Sequence, residues 1–531
     1  MNYKKIRSLI FVAFFMLSLA GCQGSSEPAN DPPGTGDEDI LEISLNAGNA
    51  FQTVHNFGAS DAWSIQFVGK NWPVEQRDRI ADLLFSLGKK EDGSPAGIGL
   101  SAWRFNIGGG SAEQGSASGI TDEWRRAESF IDQDEQYDPT RQAGQLWFLK
   151  AAKERGVEHF TGFVNSPPVV YTKNGKAWSD NGVSSNLAEN NYTKYADFLS
   201  NVVKIVTEQA GVTFDNVSPF NEPQWEWKCC GQEGSPWNNL EIAKAVRAID
   251  ASFDRNNVPS KIEVTEAGQL EYLFGTKSPT NRSDQVYQFF SSSSDNYIGD
   301  LASVAPKIAG HSYFTTWDLE RLVSTRQALR QKLESVDPAL EYWMSEYTLL
   351  EDNDQVKGPG RDLGMDPALY LSRVIQADLV IAQASAWQWW LAVSPYDYKD
   401  GLVYIDHNKF DGAIYTSKLL WALGHFSRFI RPGSVRIDVK RSDHKAFEQA
   451  MDELLVSAYR SESGNELIVV FTNQLSKDQS VRISGFPSTM KTLEVYQTSS
   501  QPGEDLTRVL SAAPGDEITI PKRGLVTCII K

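Results

Sequence analysis

FDNVSPFNEP, residues 214–223, is the stretch that decides the fold. In it a β-type run, Phe214–Phe220, is followed directly by the carboxylate of Glu222. A second run of this kind, YWMSEY at residues 342–347, carries Glu346 near its end. The carboxyl ends of parallel strands meet at one face of a barrel or one edge of a sheet, and active sites are built there. The two stretches therefore predict parallel strands that bring two carboxylates to a common face.

Runs of the same type recur on both sides of these two stretches, with helical segments between them. With Phe214–Phe220 and Tyr342–Glu346 they make eight strands: His55–Ala59, Ile98–Phe105, His159–Val164, Lys261–Thr265, Lys307–His311 and Ala384–Trp390. The alternation predicts a parallel sheet with helical crossovers. Eight units over about 375 residues fit a (β/α)8 barrel with long loops. A doubly wound open sheet is the alternative fold, although Gly108-Gly109-Gly110 lacks both phosphate-binding Gly patterns.

Apolar stripes with helical spacing lie between the predicted strands. Three are clear: Ile80, Leu83, Leu84 and Leu87; Ile242, Val246, Ile249 and Phe253; and Leu319, Leu322 and Val323. Side chains at i, i+3, i+4 and i+7 share one helix face, so each stripe predicts a helix packed on the sheet. Gly88 follows the first stripe and predicts the end of that helix.

The pattern changes after residue 430, because short β-type runs continue without helical stripes. They are Ser434–Val439, Glu453–Tyr459, Glu466–Thr472, Val481–Ser484, Leu493–Gln497, Glu517–Ile520 and Leu525–Ile530. They predict an all-β sandwich over residues 431–531, beside a catalytic barrel over residues 56–430. Residues 40–55, with the early run Leu41–Leu45, are expected to add a strand to the sandwich.

The N-terminus has the features of a targeting segment. Lys4, Lys5 and Arg7 precede the apolar stretch 9–19, which is too short to span a membrane comfortably. Leu19-Ala20-Gly21-Cys22 resembles a bacterial lipobox, which implies cleavage before Cys22 and lipid attachment to its sulfur. An ordinary signal peptide is the alternative. Residues 1–22 are thus predicted to be a lipoprotein signal peptide and residues 23–39, rich in Ser, Pro, Gly and acidic residues, a flexible linker. We expect a protein of the cell envelope that meets the membrane only through this lipid.

Composition restricts the partners and cofactors. The 531 residues carry a formal net charge of −17, which argues against nucleic acid as a partner. There are 15 Trp, a residue type that packs cores and also stacks on sugars. Neither HExxH nor paired CxxC spacing occurs, so no metal and no other cofactor is expected. Besides Cys22 the cysteines are Cys229, Cys230 and Cys528, and the adjacent pair is either a vicinal disulfide or two free thiols.

The region from Phe57 to the C-terminus resembles glycoside hydrolase family 30. The matching segments, in the order of the family, are 58–63 (GASDAW), 103–109 (WRFNIGG), 165–168 (NSPP), 219–223 (PFNEP), 311–313 (HSY) and 345–347 (SEY). The resemblance implies a barrel fused to a β-sandwich and hydrolysis with retention. It assigns Glu222 as the acid/base and Glu346 as the nucleophile. Two carboxylic side chains are also what hydrolysis of a glycosidic bond requires.

Position and resemblance together suggest further residues for the substrate site. Asn221 is expected to bind a sugar 2-hydroxyl, Arg104 to pair with Glu346, and His311 and Tyr313 to orient Glu346 or the sugar. Trp387 and Trp389 alternate along one strand and so share a face, and at least one of them is expected to form the sugar platform. Asp61, Trp63 and Asn165, at other strand ends, are expected to bind hydroxyls. Glu226, Glu233 and Glu266 are rival carboxylates, and Glu266 is a candidate ligand of the substrate.

The predicted activity is retaining hydrolysis of β-glycosidic bonds in a polysaccharide. QWEW (224–227) followed by QEG (232–234) resembles the endo-β-1,6-galactanase branch. That branch often has a cysteine after QEG, where this chain has Ser235. The alternatives are another activity of the family (xylanase, β-1,6-glucanase, β-glucosylceramidase-like or exo-acting enzyme) and a surface lipoprotein that binds glycan without cleaving it.

Overall fold

The computed structural model describes residues 40–531, which form one compact unit. The predicted signal peptide (1–22), its lipidation site Cys22 and the predicted linker (23–39) lie outside the described residues. Among residues 40–531, no helix combines the length and the apolar character that a membrane span requires.

The central feature is a closed barrel of eight parallel strands, preceded along the chain by strand β1 (Leu41–Thr53). The barrel strands are β2 (Asn56–Ser60), β3 (Ala102–Asn106), β4 (His159–Phe163), β5 (Asn216–Ser218), β6 (Lys261–Ala267), β7 (Val304–His311), β8 (Glu341–Tyr347) and β9 (Ala386–Trp390). They are neighbours in chain order, and β9 closes on β2. All eight coincide with the predicted runs to within a few residues at each end. The (β/α)8 barrel is confirmed, and the doubly wound alternative is excluded.

Helices cover the outside of the barrel and fill its loops. They are α1 (Ser64–Asn71), α2 (Val74–Phe85), α3 (Ser111–Gln114), α4 (Ala143–Glu154), α5 (Tyr192–Ala210), α6 (Asn239–Asn256), α7 (Glu271–Phe274), α8 (Gln285–Phe290), α9 (Leu319–Val336), α10 (Met365–Val380) and α11 (Lys418–Ser427). All four residues of the predicted stripe on α6 are buried. The predicted end of α2 was wrong: Ser86 already has extended backbone, so Leu87 lies outside the helix and is 44% exposed.

An all-β domain adjoins the barrel. A small sheet of β10 (Val393–Ser394), β11 (Val403–Ile405) and β12 (Ile414–Thr416) first extends the loop after β9. The larger sheet contains β1 with β13 (Val435–Arg441), β14 (Leu454–Arg460), β15 (Leu467–Asn473), β16 (Gln479–Ser484), β17 (Leu493–Thr498), β18 (Thr507–Ala512), β19 (Glu517–Ile520) and β20 (Gly524–Ile530). Its order is β18-β17-β20-β15-β14-β13-β1-β16-β19.

Strand β1 joins the two halves of this larger sheet. It pairs antiparallel with β13 and parallel with β16, and its register shifts twice against β13. Bulges of this kind bend a strand, so the sheet folds over one apolar core. That core includes Ile43 from β1, Val469 from β15 and Ile518 from β19. The opposite face packs on the barrel helices, where His425 of α11 contacts the hydroxyls of Thr498 and Thr527 at 2.9 and 2.8 Å.

Candidate active site

A cavity of about 530 Å³ opens at the carboxyl end of the barrel. Its lining residues lie at or just after the ends of β2, β4, β5, β7, β8 and β9 and in the long loops beyond them. They are Trp63, Arg125, Asn165, Asn221, Glu222, Trp227, Gln232, Tyr313, Glu346, Thr348, Leu350, Trp390, Tyr396, Asp397, Tyr398 and Asp400. The fold thus brings Glu222 and Glu346, 124 residues apart in the chain, into one cavity, together with four other predicted residues, Trp63, Asn165, Asn221 and Tyr313.

Glu222 and Glu346 face each other at the floor of this cavity. One carboxylate oxygen of each, together with a ring nitrogen of His311, lie within 4.8 Å of one another. The two residues are only 8% and 5% exposed. Glu222 has φ of 43°, in the left-handed region that non-glycine residues uncommonly adopt. Its backbone N–H donates to the carbonyl of Glu266 at 2.8 Å, which fixes this conformation.

Two donors hold the Glu346 carboxylate. Arg104 Nη1 lies 2.9 Å from Oε2, and the Tyr313 hydroxyl donates to Oε1 at 3.0 Å. Arg104 is 1% exposed and its guanidinium lies 4.3 Å from the ring centroid of Phe163. These contacts pair the carboxylate of Glu346 with a cation and fix its orientation. Arg104 was predicted to touch substrate as well as Glu346, but it lies below the cavity floor because the carboxylate covers it.

His311 connects the carboxylates from below. Its Nδ1 lies 3.1 Å from Glu222 Oε1 and its Nε2 lies 2.8 Å from Glu266 Oε2. Burial alone would lower its pKa, but the charge of Glu346 and the hydrogen bonds to Glu222 and Glu266 raise it to about 10. The charged imidazolium therefore donates to one oxygen of each of these two carboxyl groups. Of the two predicted functions, orienting Glu346 or orienting the sugar, the position of the ring fits the first, because it is completely buried with Nδ1 3.7 Å from Glu346 Oε1.

Glu222 is the carboxyl group that favours protonation. Burial raises its pKa; the hydrogen bond and charge of His311 oppose this increase, and the carboxylates of Glu346 and Glu266 add to it. Desolvation and like charge both disfavour a second anion at this spacing. The site therefore has the two protonation states that an acid and a nucleophile need.

The same atoms include the donor types of a metal site. Two carboxylate oxygens and an imidazole nitrogen suit several divalent ions. Both ring nitrogens of His311, however, already face carboxylate oxygens at hydrogen-bond distance. A charged imidazolium has no lone pair for a metal. The arrangement thus favours proton transfer over metal binding.

Aromatic side chains form the wall next to this floor. Trp390, the last residue of β9, packs edge-on against Trp63 with ring centroids 5.0 Å apart, and Tyr396 lies 6.3 Å from Trp63. The guanidinium of Arg125 lies 4.7 Å from the Trp63 ring and 5.1 Å from that of Tyr396. Aromatic faces and edges of this kind suit the C–H surfaces of sugars.

The predicted sugar platform was wrong. Trp387 and Trp389 do share a face of β9, but it is the outer face of the barrel, and both are fully buried. Trp387 Nε1 donates to Asp378 of α10 at 2.9 Å, and Trp389 Nε1 donates to the carbonyl of Asp400 at 2.9 Å. The segment AWQWW has a tryptophan on each face, so alternation alone does not show which face is inside. Trp390, on the other face of the same strand, lines the cavity.

Asp61 was also predicted to bind substrate, and the structure places it elsewhere. Its carboxylate accepts hydrogen bonds from the backbone N–H groups of Trp63 and Val393, both at 3.0 Å. It is completely buried and does not line the cavity. Burial raises its pKa to about 7 against the effect of these backbone hydrogen bonds. Asp61 therefore fixes the loops that hold Trp63 and β10.

The geometry and the comparisons with known proteins agree. The family model of O-glycosyl hydrolase family 30 matches residues 40–404, about two thirds of the chain. The chain belongs to glycoside hydrolase family 30. The predicted resemblance is thus confirmed.

Two curated proteins match this chain at lower coverage. An endo-β-1,6-galactanase of Hypocrea rufa is 23% identical over 259 residues, covering 46% of this chain and 52% of that protein. A glucuronoxylanase of Bacillus subtilis is 23% identical over 341 residues, covering 62% and 65%. The chain thus spans about half to two thirds of the length of these relatives.

A crystal structure matches over nearly all of both chains. It is that of a conserved exported protein from Bacteroides fragilis, with 31% identity and a TM-score of 0.86. The match covers 92% of this chain and 99% of the other. The barrel and the all-β domain therefore recur together in that protein.

The remaining residues predicted within this family 30 site separate into two groups. Asn165 and Asn221 line the cavity, and Asn221 Oδ1 has no protein partner, so it is free to accept from a substrate hydroxyl. The rival carboxylates do not line it. Glu226 is exposed and pairs with Lys228 at 2.7 Å, while Glu233 is buried and accepts from the N–H groups of Gly109 and Ser111.

The segment that resembles the galactanase branch forms part of the cavity rim. Trp227 and Gln232 both line the cavity, and Trp227 Nε1 donates to the carbonyl of Glu222 at 2.9 Å. Between them lie the adjacent Cys229 and Cys230, whose sulfur atoms lie next to each other, as the vicinal-disulfide alternative requires. This segment therefore contacts both the acid/base candidate and the space open to substrate.

Sequence reasoning missed much of the wall, above all Arg125, Tyr396 and Asp400. Asp400 is 8% exposed, and its Oδ1 has no hydrogen-bond partner. Burial raises its pKa to about 6, while a hydrogen bond from Ser394 and the charge of Arg125 lower it. These residues lie on long loops, where no periodic pattern marks them.

Proposed function

We propose that this protein hydrolyses β-glycosidic bonds of a polysaccharide with retention of anomeric configuration. The observation that carries the proposal is the approach of Glu222 and Glu346 oxygens to within 4.8 Å at the cavity floor. Retaining enzymes hold their two carboxyl groups about 5–5.5 Å apart, whereas inverting enzymes leave roughly 6.5–9.5 Å for a water molecule. The short separation supports a direct attack by one carboxylate.

In the first step Glu346 is the nucleophile and Glu222 the acid. The Glu346 carboxylate, held by Arg104 and Tyr313, attacks the anomeric carbon while Glu222 protonates the glycosidic oxygen. The C–O bond to the leaving sugar breaks, and a covalent glycosyl–enzyme forms at Glu346. At this spacing two charges repel by about 3 kcal/mol for an effective dielectric near 20, or about two pKa units. This repulsion helps Glu222 to keep the proton that it donates.

In the second step Glu222 reverses its function. Now ionised, it removes a proton from water, which attacks the anomeric carbon and breaks its bond to Glu346. Both carboxyl groups return to their starting states. Asn221, whose Oδ1 is unpartnered, is placed to accept from a sugar hydroxyl during both steps.

For the substrate we propose a β-1,6-linked galactan cleaved within the chain. Two observations support this choice: the match to the Hypocrea rufa endo-β-1,6-galactanase, and the place of Trp227 and Gln232 on the cavity rim. The match to a glucuronoxylanase makes xylan the main alternative.

The test is a panel of purified polysaccharides, comprising β-1,6-galactan, β-1,6-glucan, glucuronoxylan and aryl glycosides. We expect reducing-sugar release from galactan, with NMR showing the β-anomer as the first product. Initial release of the α-anomer would refute retention. Binding to glycan without any release would instead support a non-catalytic glycan-binding lipoprotein.

We also propose that the mature protein is held at the cell envelope by a lipid on Cys22. The lipobox-like Leu19-Ala20-Gly21-Cys22 after a short apolar stretch supports this location. Expression with a radiolabelled fatty acid should label the wild type and not Cys22→Ala. Labelling of both, or of neither, would contradict the anchor.

A further inference from the structure

Glu266 is a buried carboxylate that the two catalytic steps do not use. It lies near the end of β6, is completely buried and does not line the cavity. Its Oε2 accepts from Ser345 Oγ at 2.6 Å, His311 Nε2 at 2.8 Å and Arg104 Nη2 at 3.2 Å, and its Oε1 accepts from Ser218 Oγ at 3.2 Å. Burying a charge to this extent has a large desolvation cost, which only ion pairs and hydrogen bonds of this kind can offset.

Each cation that holds Glu266 also holds one catalytic carboxyl group. Arg104 connects Glu266 to Glu346, and His311 connects Glu266 to Glu222, with Nδ1 also 3.7 Å from Glu346. We call these five residues the floor cluster. The cluster contains three carboxyl groups and two cations, so it is neutral when one carboxyl group carries a proton.

We propose that Glu266 is a positioning residue that neutralises one of the two cations and thereby keeps Glu222 protonated until it meets substrate. The inference rests on the proposed function, because only an acid/base residue needs this proton. Without the charge of Glu266, Arg104 and His311 would face two carboxylates, and a neutral cluster would have both of them ionised.

The other groups that face Glu266 do not replace this charge. Glu263 of the same strand pairs with Lys307 of β7 at 2.5 Å. Burial raises the pKa of Glu263 to about 7, with Lys307 lowering it and Glu266 raising it. Tyr342 of β8 also lies near, with a pKa that burial raises. For Glu266 itself burial would raise the pKa, but the charge of Arg104 and the hydrogen bond from His311 lower it, so it stays ionised.

The sign of the effect on pH dependence follows from this arrangement. Removing the negative charge of Glu266 lowers the pKa of Glu222, because a repelling carboxylate is lost. It also lowers the pKa of His311, because the group that faces Nε2 no longer carries a negative charge. With both pKa values lowered, Glu222 loses its proton at a lower pH than in the wild type. The fall of kcat/KM at high pH (its basic limb) should therefore move to lower pH by about one unit.

The experiment compares pH profiles of kcat/KM on the polysaccharide that the wild type cleaves best. Glu266→Gln keeps the shape and removes the charge, and it should show the shift of about one unit. Glu266→Asp keeps the charge but places the shorter side chain's carboxylate farther from Arg104 and His311. Its basic limb should shift in the same direction by a smaller amount. Ser345→Ala removes a hydrogen bond to the same oxygen and keeps the charge, so its basic limb should coincide with that of the wild type.

Thermal unfolding of each variant separates folding from catalysis. A folded Glu266→Gln variant with reduced kcat and an unshifted basic limb would overturn the inference, and so would an equal shift in Ser345→Ala. If Glu266→Gln does not fold, Glu266→Asp decides by the same criterion. A wild type that cleaves no glycan refutes the proposed function itself, whereas an active wild type with an unmoved limb in the variants refutes only the function of Glu266.

Discussion

The two ends of the barrel have cavities of similar size and different chemistry. The cavity at the carboxyl end measures about 530 Å³, and one at the amino end, lined by His55, His159, Lys307 and Trp343 among others, about 480 Å³. The clearest difference is between two histidines. Burial, with His159 and Lys307 adding to it, lowers the pKa of His55 to about 3, whereas the surrounding carboxylates raise that of His311 to about 10.

This difference shows that neither volume nor residue type marks the reactive end. At the amino end the buried cation Lys307 has one carboxylate of its own, that of Glu263. At the carboxyl end three carboxyl groups share two cations, and one keeps a proton. A shared deficit of positive charge is what makes a carboxyl group an acid at neutral pH.

The largest expected effect comes from strand β8, which has a glutamate at each end. Glu346→Gln removes the proposed nucleophile and should lower kcat on polysaccharide by at least about 10³-fold. The matched control is Glu341→Gln, at the amino end of the same strand, where the side chain is exposed and accepts from Trp343 Nε1. It should retain the wild-type rate. Equal loss in both variants would show a general effect on the barrel, and activity in Glu346→Gln would exclude this nucleophile.

The next effect depends on the leaving group. Glu222→Gln removes the proposed acid and should lower kcat on polysaccharide by about 10²–10⁴-fold, the usual contribution of general acid–base catalysis. An aryl glycoside with a very acidic leaving group needs no proton, so its first step should be nearly unaffected and the covalent glycosyl–enzyme should accumulate. Burst kinetics and intact-protein mass spectrometry measure this. A first step that slows equally on both substrates, with no burst and no accumulated glycosyl–enzyme, would contradict the assignment of Glu222 as the acid.

The sequence predicted the barrel well because its strands are short apolar runs between polar segments. It missed β18, an edge strand whose Val509 and Leu510 are exposed, since no alternation marks such a strand. It placed Glu222, Glu346 and Tyr313 correctly because strand ends converge. It could not show which tryptophans of AWQWW (386–390) point into the barrel. Nor could it show that Glu266 contacts Arg104 and His311 and not the sugar. Both points depend on the direction of side chains across the barrel.

A smaller effect should separate the two faces of β9. Trp390→Ala removes an aromatic ring from the cavity wall and should lower kcat/KM by about 10-fold, as expected for about 1–1.5 kcal/mol of aromatic contact. Trp389→Phe removes buried hydrogen bonds on the outer face and should lower Tm by about 2 °C without changing KM. Purified variants tested by steady-state kinetics and thermal unfolding would show the contrast. A change in KM in Trp389→Phe but not in Trp390→Ala would contradict the assignment of Trp390 to the cavity wall.

The smallest effect is expected at the amino end, and it concerns stability alone. The pKa of His55 is lowered in the folded state to about 3, from an ordinary value of 6.5. Between these two pH values the unfolded chain therefore binds a proton at His55 that the folded chain does not bind. Its contribution is therefore complete above pH 6.5 and is lost as the pH falls toward 3.

His55→Phe keeps a ring between His159 and Trp343, whose centroids lie 4.1 and 4.6 Å away, and removes the titration. Between pH 7 and pH 5 the variant should lose about 1 kcal/mol less of its unfolding free energy than the wild type, after allowance for partial exposure of the ring. Urea unfolding at the two pH values measures this difference, and the pH profile of kcat/KM should not move. A shift of that profile would mean that the two ends of the barrel are coupled.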